Sequence, residues 1–558
     1  MLRFISQQIA RLIGVLPQFI RTYLVTLLFN YVIIVITMTN KTLIKSTGVI
    51  GASTVASRIL GFLRDILIAS RFGTGIYADA FWMAFRLPNT LRDMVGEGAT
   101  DAAIVPILTE YRHTRTPEEY WEVAQVMLNL MLTVLVALSA IGVIFAPLLV
   151  RMIAPGFLES PEKFAITVLL TRMVFPYVLL IGIVAYSKGV LNSFHYFLSP
   201  ALAPVVLNAT MIMALLFLCP IIGVKGIIVG VLAGGVLQVL LQIGPLKKKG
   251  FTFGKGFRLA HPIAKRIGKL LLPRAIGAGV YQLSVLVDTI LASMAWIVGS
   301  GGVSALQYSS RLVQLPLAVF GISLVTAALP KMSKEVASKD MAAFKDTIAF
   351  SMRSVFTVMI PAAAGLIVLA RPIIKTLFQR GAFDTYSADI TSSALFFYAF
   401  GLAAYAGIKV LVSAYYSMGD TKTPVKTAAV ALIANVILNV TLMWPLKIGG
   451  LALATSIAAV LNLVILYILL IKRIGDIDTK SLIISLVKII SATSVMALFT
   501  VHVTGQIMSI AGTGTLKIIM GLLIIILLSA LIYLICAYAL NVRGVRRAWR
   551  MLTKNEKK

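Results

Sequence analysis

Ser57-Arg58-Ile59-Leu60-Gly61-Phe62-Leu63-Arg64-Asp65 sets two guanidinium groups and a carboxylate inside residues 43–70, a stretch otherwise apolar enough to cross a bilayer. A second such stretch, 78–110, carries Asp79, Arg86 and Arg92, and a later one, 303–331, carries Arg311. A charge at the bilayer centre costs roughly 2.5–3.5 kcal/mol on insertion scales. A helix bundle offsets that cost when the charges face a wet interior. These residues therefore predict helices packed around a cationic cavity, and such a cavity suits an anionic cargo. Arg58 and Arg64, like Arg86 and Arg92, lie six residues apart, which on a helix is ~9 Å of rise and ~120° of rotation. Pairs so spaced line a path more readily than they form one clamp. Guanidinium groups also stay charged and grip phosphate oxygens in a bidentate fork. The competing reading is that they snorkel or pair with Asp65, Asp79, Asp93 or Glu97.

The rest of the chain fits a membrane setting. Of its 558 residues 59% are hydrophobic and 13% charged, with mean hydropathy +0.94. Soluble domains are nearer half apolar and a quarter charged, so the composition is that of an all-α polytopic membrane protein. The net charge of +30 would suggest nucleic acid in a soluble chain. Here the basic residues lie mainly between apolar spans, where they meet anionic lipid, and no nucleic-acid partner is expected. Cys219 and Cys536 form no CxxC, and His113, His195, His261 and His502 have no metal-ligand spacing. There is no nucleophile elbow, phosphate loop or zinc motif, so the chain reads as a transporter without a cofactor rather than an enzyme. A monomer is expected.

Apolar runs long enough to span give fourteen expected helices: 43–70, 78–110, 122–150, 164–192, 200–219, 222–244, 266–298, 303–331, 345–370, 388–415, 423–444, 449–472, 482–503 and 515–540. Residues 1–37, with Arg3, Arg11 and Arg21 before the short apolar run Tyr23–Met38, read as an extension of doubtful status. An upstream mis-assigned start, an amphipathic segment and an extra span all remain open. Loop 246–269 carries Lys247, Lys248, Lys249, Lys255, Arg258, Lys265, Arg266 and Lys269, and the 541–558 tail is also basic. Loops 299–304 and 504–514 carry no Lys or Arg. The positive-inside rule then puts both ends of the core in the cytoplasm, with anionic lipids against the basic loops.

The spans repeat. Ala80-Phe-Trp-Met-Ala-Phe-Arg86-Leu87 matches Ala305-Leu-Gln-Tyr-Ser-Ser-Arg311-Leu312, and each match is followed by a proline, Pro106 or Pro330. Tyr186-Ser-Lys188 ahead of Pro204 likewise matches Gly407-Ile-Lys409 ahead of Pro424. The expected layout is an N-lobe at 38–245, a basic loop at 246–265, a C-lobe at 266–473, and two further helices in 474–540. Parallel lobes of this kind place a transport site at their interface. Gly61, Pro88, Gly96, Gly98 and Pro316 beside the arginines suit hinges, or simply close helix packing. Asp288, Asn435, Asn439 and Thr455 offer oxygens that suit a small hard cation, although buried hydrogen bonding between helices explains the amides as well.

Together Ser57–Asp65, Ala78-Asp79-Ala80, Phe85-Arg86-Leu87-Pro88-Asn89, Leu91-Arg92 and Glu97-Gly98-Ala99 resemble the MurJ (MviN) family of bacterial lipid II flippases. Ala154-Pro-Gly-Phe157, Arg311-Leu-Val-Gln-Leu-Pro316 and Gly419-Asp420-Thr-Lys-Thr-Pro-Val425 fit the same family. The resemblance covers about 40–545 and implies a carrier of the multidrug/oligosaccharidyl-lipid/polysaccharide exporter superfamily, working in the inner membrane by alternating access. It implies a pyrophosphate site at Arg58, Arg64, Arg92 and Arg311, with Asp79 and Arg86 as further cavity charges. It also implies a possible sodium site at Asp288, Asn435, Asn439 and Thr455, although Asn439 stands where some members have an acidic ligand. The implied cargo is an undecaprenyl-pyrophosphate-linked glycan. A flippase for another polyprenyl-linked glycan and a drug/cation antiporter of the superfamily are the alternatives.

Overall fold

The computed structural model describes residues 41–92, 104–252, 282–511, 515–542 and 544–546. The 1–37 extension, Asp93, Glu97, residues 253–281 and most of the tail lie outside them. The described residues are helical, and the chain divides into two compact units between Ser293 and Met294.

In the first unit α1 is Lys41–Phe72, α2 Ile76–Arg92, α3 Val105–Thr114, α4 Pro117–Ile144, α5 Ala146–Ile153, α6 Pro161–Val174, α7 Tyr177–Ser193, α8 Leu198–Met213 and α9 Lys225–Lys248. Helix α10, Gln282–Ala292, belongs to the span expected to open the second lobe, yet falls on the first side of the division. The Gly156 N–H donates to the Ser293 hydroxyl just beyond it at 3.2 Å. In the second unit α11 is Gly302–Pro316, α12 Ser323–Ala337, α13 Met341–Val368, α14 Ala370–Phe378, α15 Thr385–Ala399, α16 Leu402–Ser417, α17 Lys422–Leu446, α18 Ile448–Ile474, α19 Thr479–Ala511 and α20 Thr515–Ala539.

Local chemistry starts these helices. Thr116 accepts from the Glu119 N–H while Glu119 reaches back to the Thr116 N–H, and Pro117 occupies the first turn. Ser160, Asp340 and Asp384 cap α6, α13 and α15, each side-chain oxygen accepting one N–H of the first turn. Inside the helices, hydroxyls bond back to the preceding turn, as Thr167 does to the Lys163 carbonyl and Thr171 to that of Thr167. Apolar side chains meanwhile face outward. On α17, Ile433, Ile437, Val440 and Trp444 form an exposed stripe at i, i+4, i+7 and i+11, while Asn435 and Asn439 are buried. A soluble helix would reverse that arrangement; lipid is the solvent this surface fits.

Nine helices among the described residues are long and apolar enough to span, or eleven if the bent pairs α11–α12 and α15–α16 are single spans. The three remaining expected spans are the first, whose charges lower its hydropathy, and the second and seventh, which are only partly described. The α15–α16 pair bends by 44° at Phe400–Gly401, and a π-helical stretch, Leu317–Ile322, follows Pro316.

The turn into α17 shows how a span end is fastened. Gly419 takes φ +73°, and Asp420 then accepts the Lys422 and Thr423 N–H groups at 3.0 and 2.9 Å and the Thr423 hydroxyl at 2.7 Å, with Arg473 of α18 also on the carboxylate. Burial pushes the Asp420 carboxyl up, but the Thr423, Arg473 and Lys422 donors outweigh it and bring it down to about 2. That lies below the ordinary carboxylate value of about 3.9, so the stabilisation is complete at neutral pH and is lost as pH falls from about 4 through 2. Asp420→Asn is expected to cost about 1 kcal/mol at pH 7, allowing for solvent screening, and progressively less below pH 4. Thermal unfolding of the purified protein across that pH range measures the difference; a pH-independent gap would show that the charge is not what fastens the turn.

Candidate anion-binding site

Arg58, Arg64, Arg86 and Arg92 belong to the first unit and Arg311 to the second. Arg58, Arg86, Arg92 and Arg311 are half-buried on α1, α2 and α11, whereas Arg64 is only 6% exposed. Side chains of this length reach past neighbouring apolar groups, so half-burial leaves a guanidinium able to face a wet interior.

Arg64 is held in a network. Its Nε and Nη2 donate to Asp65 Oδ1 at 2.9 and 2.6 Å, and its Nη1 donates to Asn208 Oδ1 at 3.0 Å. The Asn208 amide returns to α1 by donating to the Ser57 carbonyl at 3.0 Å and its hydroxyl at 3.3 Å. The guanidinium carbon also lies 5.9 Å from the centre of the Trp82 ring on α2. One arginine thus ties α1 to α8 and rests beside α2. Of the two readings open for Arg64, the structure displays the ion pair with Asp65. An anion reaching this group meets a guanidinium oriented by a carboxylate and an amide.

Asp79 is paired as well, with a residue that the sequence did not single out. Lys163 Nζ lies 2.7 Å from Asp79 Oδ2, both groups are buried, and the ammonium sits 4.0 Å from the centre of the Phe157 ring. Phe157 closes the Ala154-Pro-Gly-Phe motif, and Lys163 opens α6 beneath the Ser160 cap. Asp79 is therefore part of a clamp between α2 and α6. Asn208 and Lys163 left faint traces in the sequence: a lone amide in the apolar 200–219 run, and a lysine at the edge of a span. Only their partners give them meaning.

In the second unit Asn439 Nδ2 donates to Asn435 Oδ1 at 3.1 Å, Asn435 Nδ2 to Thr455 Oγ1 at 3.2 Å, and Thr455 Oγ1 to the Leu451 carbonyl at 3.0 Å. This places three of the four expected ion ligands in one chain joining α17 to α18. All three are neutral oxygen donors, compatible with weak coordination of a small cation provided the amides turn. The carboxylate of the set, Asp288, is buried on α10 of the first unit. Lys188 and Lys409, matched by the repeat, are half-buried on α7 and α16.

A helical membrane protein with charges buried in its helices defines a class, and solved structures identify it. The structure matches that of "Lipid II flippase MurJ, inward closed conformation" at TM-score 0.74 and 27% identity, over 88% of this chain and 97% of the other. It shares the fold of an inward-facing multidrug resistance MATE family transporter of the MOP superfamily, at TM-score 0.65 and 16% identity over 76% of this chain and 96% of the other. The chain is thus a multi-pass transporter of that fold. The family described as lipid II flippase MurJ matches residues 68–537, and the chain belongs to it. It is 35% identical to the probable lipid II flippase MurJ of Vibrio cholerae over 77% of this chain and 83% of the relative. It is 34% identical to the lipid II flippase MurJ of Burkholderia cenocepacia over 77% and 84%. Membership and the apolar helices make it a multi-pass protein of the bacterial inner membrane.

The clamp makes a prediction of its own. Lys163→Met leaves the Asp79 carboxylate buried without its cation and is expected to cost about 3–5 kcal/mol, whereas Asp79→Asn with Lys163→Met recovers most of that loss. Thermal unfolding of the three proteins in one detergent decides it; a double variant no more stable than Lys163→Met would show that the two groups do not act as a pair.

Proposed function

We propose that this chain flips lipid II, the undecaprenyl-pyrophosphate-linked peptidoglycan precursor, from the cytoplasmic to the outer leaflet by alternating access. Membership of a family described as lipid II flippases carries the proposal, and Arg58, Arg64, Arg92 and Arg311 supply a chemistry that suits a pyrophosphate. Asp79, paired with Lys163, and Arg86 are the further charges of the first unit on this reading. The lipid tail stays in the bilayer while the charged head crosses. No step requires bond making, so the chain is taken as a carrier and not an enzyme. Both ends of the core lie in the cytoplasm on this reading, because Lys247, Lys248, Lys249 and the basic tail then fall inside.

Substitution of Arg58, Arg92 or Arg311 by Ala is expected to reduce flipping of a labelled lipid II in proteoliposomes about 10–100-fold, the worth of one charged hydrogen-bonding contact. Insertion should be unimpaired, since removing an intramembrane charge eases it. Lys at these positions restores only part of the activity, lacking the planar fork. Full activity in all three alanine variants would overturn the reading. Transport of a different polyprenyl-linked glycan in preference to lipid II would favour the alternative cargo.

For energy, the proposal is sodium bound by Asp288, Asn435, Asn439 and Thr455. An ion drives the cycle only through different affinities for the two facings. Asp288→Ala is then expected to abolish the sodium dependence of flipping, and Asn439→Asp to lower the sodium concentration needed. A carrier that follows membrane potential and ignores sodium, with or without Asp288, would assign the drive to the potential instead.

A further inference from the structure

At the end of the second unit where α18 turns into α19, a cavity of about 200 Å3 opens between α19 and the residues that follow α20. Ser481, Ile484, Ser485 and Lys488 line it from α19 at i, i+3, i+4 and i+7, so one helix face supplies two hydroxyls, an aliphatic group and a cation. Lys480 adds a second cation at its rim, and Asn541, held at φ +61°, closes the far side. Neither lysine is in an ion pair among the described residues. One carboxylate, Asp478, also lines the cavity, but Arg353 of α13 donates to its Oδ2 and to the Ser481 hydroxyl, each at 3.2 Å. That guanidinium offsets the negative charge, so the group as a whole is cationic.

The cavity does not stand alone. Val487, Val495 and Leu498 continue along α19 on the Ile484 side as a strip of exposed apolar groups, Ile484 itself being half exposed. A ligand that fits both parts carries an anionic, hydrogen-bond-accepting head of phosphate size and at least one long hydrocarbon chain. A free anion leaves the strip uncovered, and a zwitterionic lipid brings an ammonium group against Lys480 and Lys488.

We propose that this cavity is a binding site for an anionic glycerophospholipid, with its phosphate head between Lys480, Lys488 and the two serines and an acyl chain along Ile484, Val487 and Val495. It is separate from the arginines assigned to the cargo, and it rests on no assumption about what the carrier moves. With the positive-inside orientation it faces the cytoplasmic leaflet, where anionic lipids attract basic groups near the surface. A lipid so placed bridges α19 to the end of α20 and to Arg353 on α13.

Native mass spectrometry of the full-length, delipidated protein titrated with phosphatidylglycerol tests the site. The double variant Lys480→Gln/Lys488→Gln is expected to bind phosphatidylglycerol about tenfold or more weakly than the parent, given two lost lysine contacts. Lys225→Gln/Lys375→Gln, an equal loss of exposed charge away from the basic cytoplasmic loops, should bind as the parent does. Lys480→Glu alone, a surface change that spares the fold, is expected to weaken binding in the same direction. Phosphatidylcholine should bind weakly and indifferently to all four proteins, and inorganic phosphate should not compete at lipid-equivalent concentration. Equal phosphatidylglycerol binding by the site variant and the parent, or an equal loss in both double variants, would overturn the proposal. Competition by inorganic phosphate would also overturn it, assigning the cavity to a free anion.

Discussion

Lipid offers a protein no hydrogen bonds, and most features of this structure follow from that constraint. Every backbone amide in a span must be satisfied within its helix, so the described chain is helical. Hydroxyls that would reach for water instead bond to the carbonyl one turn back, as Thr167, Thr171, Ser351 and Thr500 do. Charges face the same demand at higher cost. Arg64 is answered by Asp65 and Asn208, and Asp79 by Lys163. A buried pair contributes little net stability beside an apolar core, but removing one partner is severe. Such charges hold helix positions more than they add to the folding free energy.

This changes how the intramembrane arginines are understood. A row of arginines read from the sequence suggests uniform anion ligands. In the structure they differ: Arg64 is locked to a carboxylate and an amide, while Arg58, Arg86, Arg92 and Arg311 are half-buried. An arginine already oriented by a neighbour loses less side-chain entropy on meeting a phosphate, but shares its charge with the carboxylate. Asp79, the other carboxylate in the first two helices, serves a lysine instead. The Asn435–Asn439–Thr455 chain has a comparable double character. Its hydrogen bonds join α17 to α18 as they stand, and the same oxygens are those a weakly held cation would use.

Sequence and structure agree where the signal is local. The spans expected from 122 and 164 start at Pro117 and Pro161, where the Thr116 and Ser160 caps begin each helix a few residues ahead of its apolar run. Hydropathy placed most other span ends within a few residues, but α12 and α19 run on to Ala337 and Ala511, six and eight residues past the expected ends. Reading fared differently at the bends: 122–150 is broken at Phe145 and 388–415 at Phe400–Gly401. Hydropathy averages across such breaks and does not register them. The first two spans were legible as apolar runs despite the arginines that weaken their hydropathy.

By itself the sequence determined that the chain crosses a membrane many times, that its helices carry intramembrane arginines, and which family it resembles. Hydropathy, charge position and short motifs are one-dimensional properties, and they suffice for those conclusions. Only the tertiary structure decided which groups answer which charges. Lys163 meets Asp79 from 84 residues away, and Asn208 meets Arg64 from 144. Ser481, Ser485 and Lys488 share a cavity with Asn541 because α19 and the end of α20 are side by side. Pairings of that range depend on how helices pack, and each long polar side chain had several partners that sequence spacing alone allowed.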